Sequence, residues 1–158
     1  PGGAHIASSL EHEESGVPNY SPEVHAKMSA KRFRKLEAFS EEDAESDATQ
    51  SEGARIGIVS WGSTRGAVRE ARARLENNGV LTSHFHPRVL WPLPAEQIRR
   101  FAQGLNKVVC IEENYAGQLA MLLRSQQLCD PISITKCAGL PFTSDEVYNA
   151  VWEIATRD

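Results

Sequence analysis

From residue 55 onward, apolar positions alternate between two spacings. Arg55–Ser60 is a continuous β-branched run of strand length, and Ala67, Val68, Ala71 and Leu75 then recur at helical spacing up to Gly79. Val80–His86 reads as a second strand. A proline-punctuated stretch from Pro87 to Pro94 leads to a helix with Ile98, Phe101 and Ala102 inward. Lys107–Glu112 is a third strand, Gly117 to about Gln127 a third helix, and Ile132–Thr135 a short fourth strand. Thr143 and Glu146 have capping-box spacing, and Val147, Val151, Trp152 and Ile154 mark the helix that follows. Strands alternating with helices predict a three-layer α/β domain over 54–158, its mostly parallel sheet covered on both faces.

The first forty residues follow another pattern. Ser21-Pro22-Glu23 is a helix start, with a serine cap, a first-turn proline and an acid at the positive end of the dipole. The helix should run to about Ala38 with a partial apolar stripe and a strongly basic remainder, so it needs something to pack on. Residues 1–20, with Gly2, Gly3, Gly16 and Pro18, read as extended, irregular chain, and His5, His12 and His25 as surface histidines.

Charge separates these regions. The 158 residues carry a net charge of −4, and the acidic excess sits in one run, 41–52, which has six acids and no base. Such runs are solvated, so 41–53 is expected to be a flexible linker. The remainder is nearly neutral and shows no electrostatic footprint for nucleic acid. Arg69, Arg72 and Arg74 are read as the wet face of their helix. The longest apolar runs are far short of the ~20 residues of a membrane helix, so no membrane partner is expected. Three cysteines, an odd count without C-x-x-C spacing, fit a reducing, cytoplasmic setting, with Cys110 a small buried hydrophobe.

Candidate chemistry falls at the carboxyl ends of the strands, where sheets of this type receive ligands. Gly62-Ser63-Thr64-Arg65-Gly66 opens a helix and could hold a phosphate or carboxylate. It matches neither dinucleotide nor P-loop spacing, and a tight turn with a Ser or Thr cap explains it without a ligand. Glu112 and Glu113 could supply a general base or a metal ligand. As strand neighbours they point to opposite faces and make no carboxylate pair, and either could instead hold an arm or a neighbouring domain. His84 and His86, two apart, share a face, but no third metal ligand lies nearby in sequence. Two functional classes stay open on residues alone: a flavodoxin-like nucleotide- or flavin-binding module using 62–66, and a small hydrolase built on Ser63 and a histidine.

Several motifs taken in order carry a resemblance. IGIVSWGS, LENNGV, LWPLPAEQI and VVCIEENYAGQLAMLL resemble the C-terminal domain of the transketolase family of thiamine enzymes. With LEHEESG (10–16), PEVHAKMSAKRFRKLE (22–37) and KCAGLPFTSDEV (136–147), the chain is similar to the alpha subunit of 2-oxoacid:ferredoxin oxidoreductases, the 2-oxoglutarate type more than the pyruvate type. The resemblance implies a complete enzyme that oxidatively decarboxylates a 2-oxoacid with coenzyme A. It implies thiamine diphosphate, magnesium and an iron–sulfur cluster held elsewhere, in a preceding pyrimidine-binding domain and a beta subunit, with electrons passing to ferredoxin. Residues 1–40 would then be the tail of that preceding domain. No catalytic, cofactor or metal residue is expected in this chain. His12, Glu13, Gly16, Gly62, Ser63, Thr64, Glu113, Asn114, Gly117 and Gln118 are the expected contacts with the rest of the assembly.

Overall fold

The computed structural model describes residues 10–37 and 44–157. The expectations for residues 1–9, for Ala38 and for the acids of 41–43 fall outside them. The chain divides into two units, 1–40 and 41–158.

In the first unit, helix α1 spans Pro22–Glu37 and Ser21 caps it, its Oγ accepting from the Val24 amide at 3.2 Å. Residues 11–19 are not irregular. They form a tight hairpin, closed by Asn19 N donating to Glu11 O at 3.0 Å and by Gly16 N donating to Glu13 O at 2.9 Å. Gly16 takes φ +85°, which explains a glycine at that corner. The LEHEESG acids hold this hairpin on α1. Glu11 meets His25 at 2.7 Å and Arg32 at 2.5 Å, and Glu14 meets Lys31 at 3.3 Å.

The second unit is a five-stranded sheet in the order β1-β3-β2-β4-β5. The strands are β1 (Asp47–Thr49), β2 (Ile56–Ser60), β3 (Thr82–His86), β4 (Lys107–Glu112) and β5 (Ile132–Thr135). Four run parallel, and β1 adds an antiparallel edge on β3. This corrects the linker expectation over 44–53. Asp47–Thr49 is a paired strand, and Asp47 is tied to Arg65 at 2.6 Å and to Arg88 at 3.1 Å. Asp47 has partners across the sheet edge that a local charge count does not reveal.

Helices α2 (Arg65–Asn77) and α5 (Ser144–Thr156) cover one face. They bury Val68, Ala71, Leu75, Val147 and Val151 against Ile56, Ile58, Val109 and Ile111. Helices α3 (Ala95–Ala102) and α4 (Gln118–Ser125) cover the other, packing Ile98, Phe101, Leu119 and Leu123 on Val59, Phe85, Val108 and Cys110. Each fully buried aliphatic side chain contributes roughly 1.5–3 kcal/mol. A Cβ at Gly57 would meet Leu105 Cδ1 at 2.4 Å, so glycine lets α3 and its following loop approach β2. The capping box of α5 forms as expected. Arg72 departs from the expected wet face: half-buried, it donates from Nη2 to Thr82 O at 2.6 Å and to Ser51 Oγ at 3.3 Å.

Candidate functional site

The carboxyl ends of β2, β3 and β4 lie at one edge of the parallel sheet, and the loops leaving that edge hold most of the sequence candidates. Glu112 ends β4 and is fully buried. Its Oε2 accepts from Leu119 N at 2.8 Å and from Asn114 Nδ2 at 2.7 Å, and its Oε1 accepts from Ala120 N at 3.0 Å. The Leu119 and Ala120 amides belong to the first turn of α4, where an anion is favoured by the free N–H groups and the dipole. Burial pushes this carboxyl up, and the two amides, the Asn114 side chain and the Cys110 thiol outweigh it, so it stays below the usual range and charged. Burial and the Glu112 charge push the Cys110 thiol up, leaving it inert.

Asn114 completes this corner. Its Oδ1 accepts from Gly117 N at 2.7 Å and from Gln118 N at 3.1 Å. Gly117 takes φ +67°, and a Cβ there would meet Ser133 Oγ at 2.6 Å, so both conformation and space require glycine. Glu113 turns the other way, as strand alternation demands. Its Oε2 accepts from Ser63 Oγ at 2.5 Å and its Oε1 from Phe142 N at 2.8 Å. One carboxylate thus clasps the loops before α2 and before α5. The expected Ser or Thr cap on α2 is absent. Ser63 goes to Glu113, and Thr64 Oγ1 donates back to Trp61 O at 2.8 Å.

A second polar cluster lies beside it under α2. Ser60 Oγ is hydrogen-bonded to His84 Nε2 at 2.8 Å and to His86 Nδ1 at 2.9 Å. Burial, then His86 and the guanidinium groups of Arg72, Arg65 and Arg69, push the His84 imidazole down to about 3. Burial and Arg65 lower His86 as well, against the pull of Asp47. The sequence pointed to two histidines on one face, and the structure supplies Ser60 as their common partner. Only Ser60's place at the carboxyl end of its strand could have signalled that.

The chemistry open to these groups is limited. Ser63 faces a carboxylate and no imidazole, which removes the hydrolase reading. Ser60 faces two imidazoles but is fully enclosed, so no substrate reaches it. His12, Glu13 and Gly16 stay in the hairpin of the first unit, where Glu13 Oε1 accepts from Asn19 Nδ2 at 2.6 Å. Among the described residues, no group of three or more His, Cys, Asp or Glu side chains is placed to hold a metal ion, and no helix is long and apolar enough to cross a membrane. Cys110, Cys129 and Cys137 do not converge on a cluster site, and both edge carboxylates are already spent on donors of the domain. These residues therefore do not fit an iron–sulfur cluster or a magnesium-bound diphosphate.

Residues 54–146 match the family described as pyruvate:ferredoxin oxidoreductase core domain II. The alpha subunit of 2-oxoacid:ferredoxin oxidoreductase 2 from Aeropyrum pernix is 35% identical over 153 residues, covering 94% of this chain and 24% of that protein. The structure of 2-oxoglutarate:ferredoxin oxidoreductase from Magnetococcus marinus, with 2-oxoglutarate, coenzyme A and succinyl-CoA bound, aligns at 41% identity and a TM-score of 0.71. That match covers 95% of this chain and 26% of the other. A split-gene transketolase shares the fold, with a TM-score of 0.54 at 22% identity over 70% of this chain and 43% of the other. The chain spans about a quarter of the length of these curated relatives.

Proposed function

Because the chain belongs to the pyruvate:ferredoxin oxidoreductase core domain II family, in the alpha subunits of 2-oxoacid:ferredoxin oxidoreductases, we propose that it is the carboxy-terminal assembly domain of such a subunit. The complete enzyme would act in the cytoplasm on a 2-oxoacid, 2-oxoglutarate foremost. The substrate would lose carbon dioxide, form a thioester with coenzyme A and give its electron pair to ferredoxin. Thiamine diphosphate and magnesium would supply the carbanion chemistry, and the iron–sulfur cluster the electron path. All three would be held by the rest of the alpha subunit and by a beta subunit.

One observation carries the assembly role. The polar groups at the carboxyl edge are spent on each other: Glu112 on α4, Asn114 on Glu112 and Gly117, Glu113 on Ser63 and Phe142. Among the described residues, neither edge carboxylate is left without a donor, while Tyr115 is left 88% exposed in the same loop. Such an edge suits docking, with Gly62, Ser63, Thr64, Glu113, Asn114, Gly117 and Gln118 shaping the contact. His12, Glu13 and Gly16 would do the same from the hairpin.

The test is co-expression of the whole alpha subunit with its beta subunit, followed by size-exclusion chromatography and coenzyme A-dependent ferredoxin reduction with 2-oxoglutarate. Asn114→Ala should lower the yield of complex and leave turnover per assembled complex unchanged. Loss of turnover with assembly intact would replace this role with a catalytic one.

A further inference from the structure

A cleft of about 380 Å³ opens between β1 and the start of α2, and the assembly role makes no use of it. Its walls are the 45–49 segment, Arg65 and Arg69, and it reaches down to His84. Arg65 and Arg69 are four apart and share one face of α2. The β1–β3 register sets Thr49 opposite His84 and Asp47 opposite His86. Asp47 is already bracketed by Arg65 and Arg88. Glu45 stands exposed on the rim. Arg69 makes no hydrogen bond or ion pair with any described residue.

The imidazole at the bottom is the second observation. His84 is 4% exposed, and its Nε2 is taken by Ser60. Its Nδ1 has no partner among the described residues. A hydroxyl has one proton, so Ser60 can donate to only one of its two histidines. If Ser60 accepts from His86 Nδ1–H and donates to His84 Nε2, then His84 carries its proton on Nδ1. With the protons placed that way, the chain offers one donor at His84 Nδ1 and needs no net charge on either ring.

We propose that this cleft binds the phosphate group of a small phosphorylated molecule, with Arg69 as its main cation, Arg65 shared with Asp47, and Thr49 Oγ1 and His84 Nδ1 as the neutral partners. A guanidinium pairs with two oxygens of a tetrahedral anion, which leaves others for a hydroxyl and an imidazole. The cleft is larger than a phosphate and falls in the lower range of small-molecule sites, so the ligand carries a body of roughly sugar size.

The test is calorimetric titration of ribose 5-phosphate, inorganic phosphate and ribose into the assembled complex, already saturated with thiamine diphosphate and coenzyme A. Ribose 5-phosphate should bind and ribose should not. Arg69→Ala should weaken binding about tenfold or more, Arg69→Lys less, and Thr49→Val by a smaller factor. Arg69 is exposed, so its loss leaves the fold intact, and unchanged thermal unfolding verifies this. Equal affinity for inorganic phosphate would support the site with free phosphate as its occupant. Absence of heat from both phosphates at millimolar concentration, or undiminished affinity in Arg69→Ala, would overturn the proposal.

Discussion

Two buried titratable clusters sit at the carboxyl edge of the same sheet and handle burial in opposite ways. Glu112 is enclosed and keeps its charge, because α4 presents two free amides and Asn114 adds a third donor. His84 and His86 are enclosed and give up theirs. Their shared partner is one hydroxyl, and arginines rather than carboxylates dominate their surroundings. Burial raises the free energy of any charge. Whether the group stays ionised depends on the donors or cations that the next element brings, not on the depth of the site.

The largest effect is therefore expected at Glu112. Glu112→Ala strands the Leu119 and Ala120 amides and the Asn114 side chain, each at about 1–3 kcal/mol when buried without a partner. Urea unfolding should show a loss of about 3–5 kcal/mol, in the range for removing one member of a buried charged network. Glu112→Gln keeps one acceptor oxygen and should recover part of that loss. A loss below about 1 kcal/mol for the alanine variant would mean that water reaches those amides, and the contrast with the histidines would collapse.

The histidines should reveal themselves through pH. His84 titrates at about 3 in the folded chain and from a normal value of 6.5. Between those values the unfolded chain binds a proton that the folded chain refuses, so stability falls as pH drops below 6.5. At about 1.4 kcal/mol per unit, the loss is roughly 2 kcal/mol by pH ~5. Glu112 works in a lower window. Its folded value is depressed, so its contribution is present above the normal carboxyl value of 4.5 and disappears as pH falls through the folded value. In chemical denaturation against pH, His84→Asn should flatten the upper slope and spare the lower one. An unchanged upper slope would place that titration on another group.

The regular elements were legible because their information is local. Lys107–Glu112 and Ile132–Thr135 match the observed strands, and Thr143 caps α5 as its spacing to Glu146 requires. The edge strand β1 was not legible. Asp-Ala-Thr has no apolar period, and it is a strand only because β3 offers an open edge and Arg65 and Arg88 hold Asp47. The 11–19 hairpin was missed for the same reason, since its acids find their bases on α1. At the site, strand alternation correctly separated Glu112 from Glu113. It could not assign Glu112 to α4, because that bond spans a left-handed turn at Gly117 that only the folded loop creates.

Glu113 gives the smallest expected effect and the closest control, being the same residue type one position along the chain. Its carboxylate is half-buried and joins Ser63 Oγ to Phe142 N across two loops. Glu113→Gln keeps the shape and the acceptor for one donor while removing the charge, and water can satisfy what is released. The stability change should stay near or below about 1 kcal/mol, within the net value of a single hydrogen bond. Amide exchange at Phe142 should nevertheless accelerate, because the clasp on its N–H is weakened. A loss as large as that of Glu112→Ala would mean that the clasp belongs to the domain's core. Donor supply would then no longer distinguish the two acids, and the loops before α2 and α5 would be fixed parts of the fold instead of a surface free to adapt to a partner.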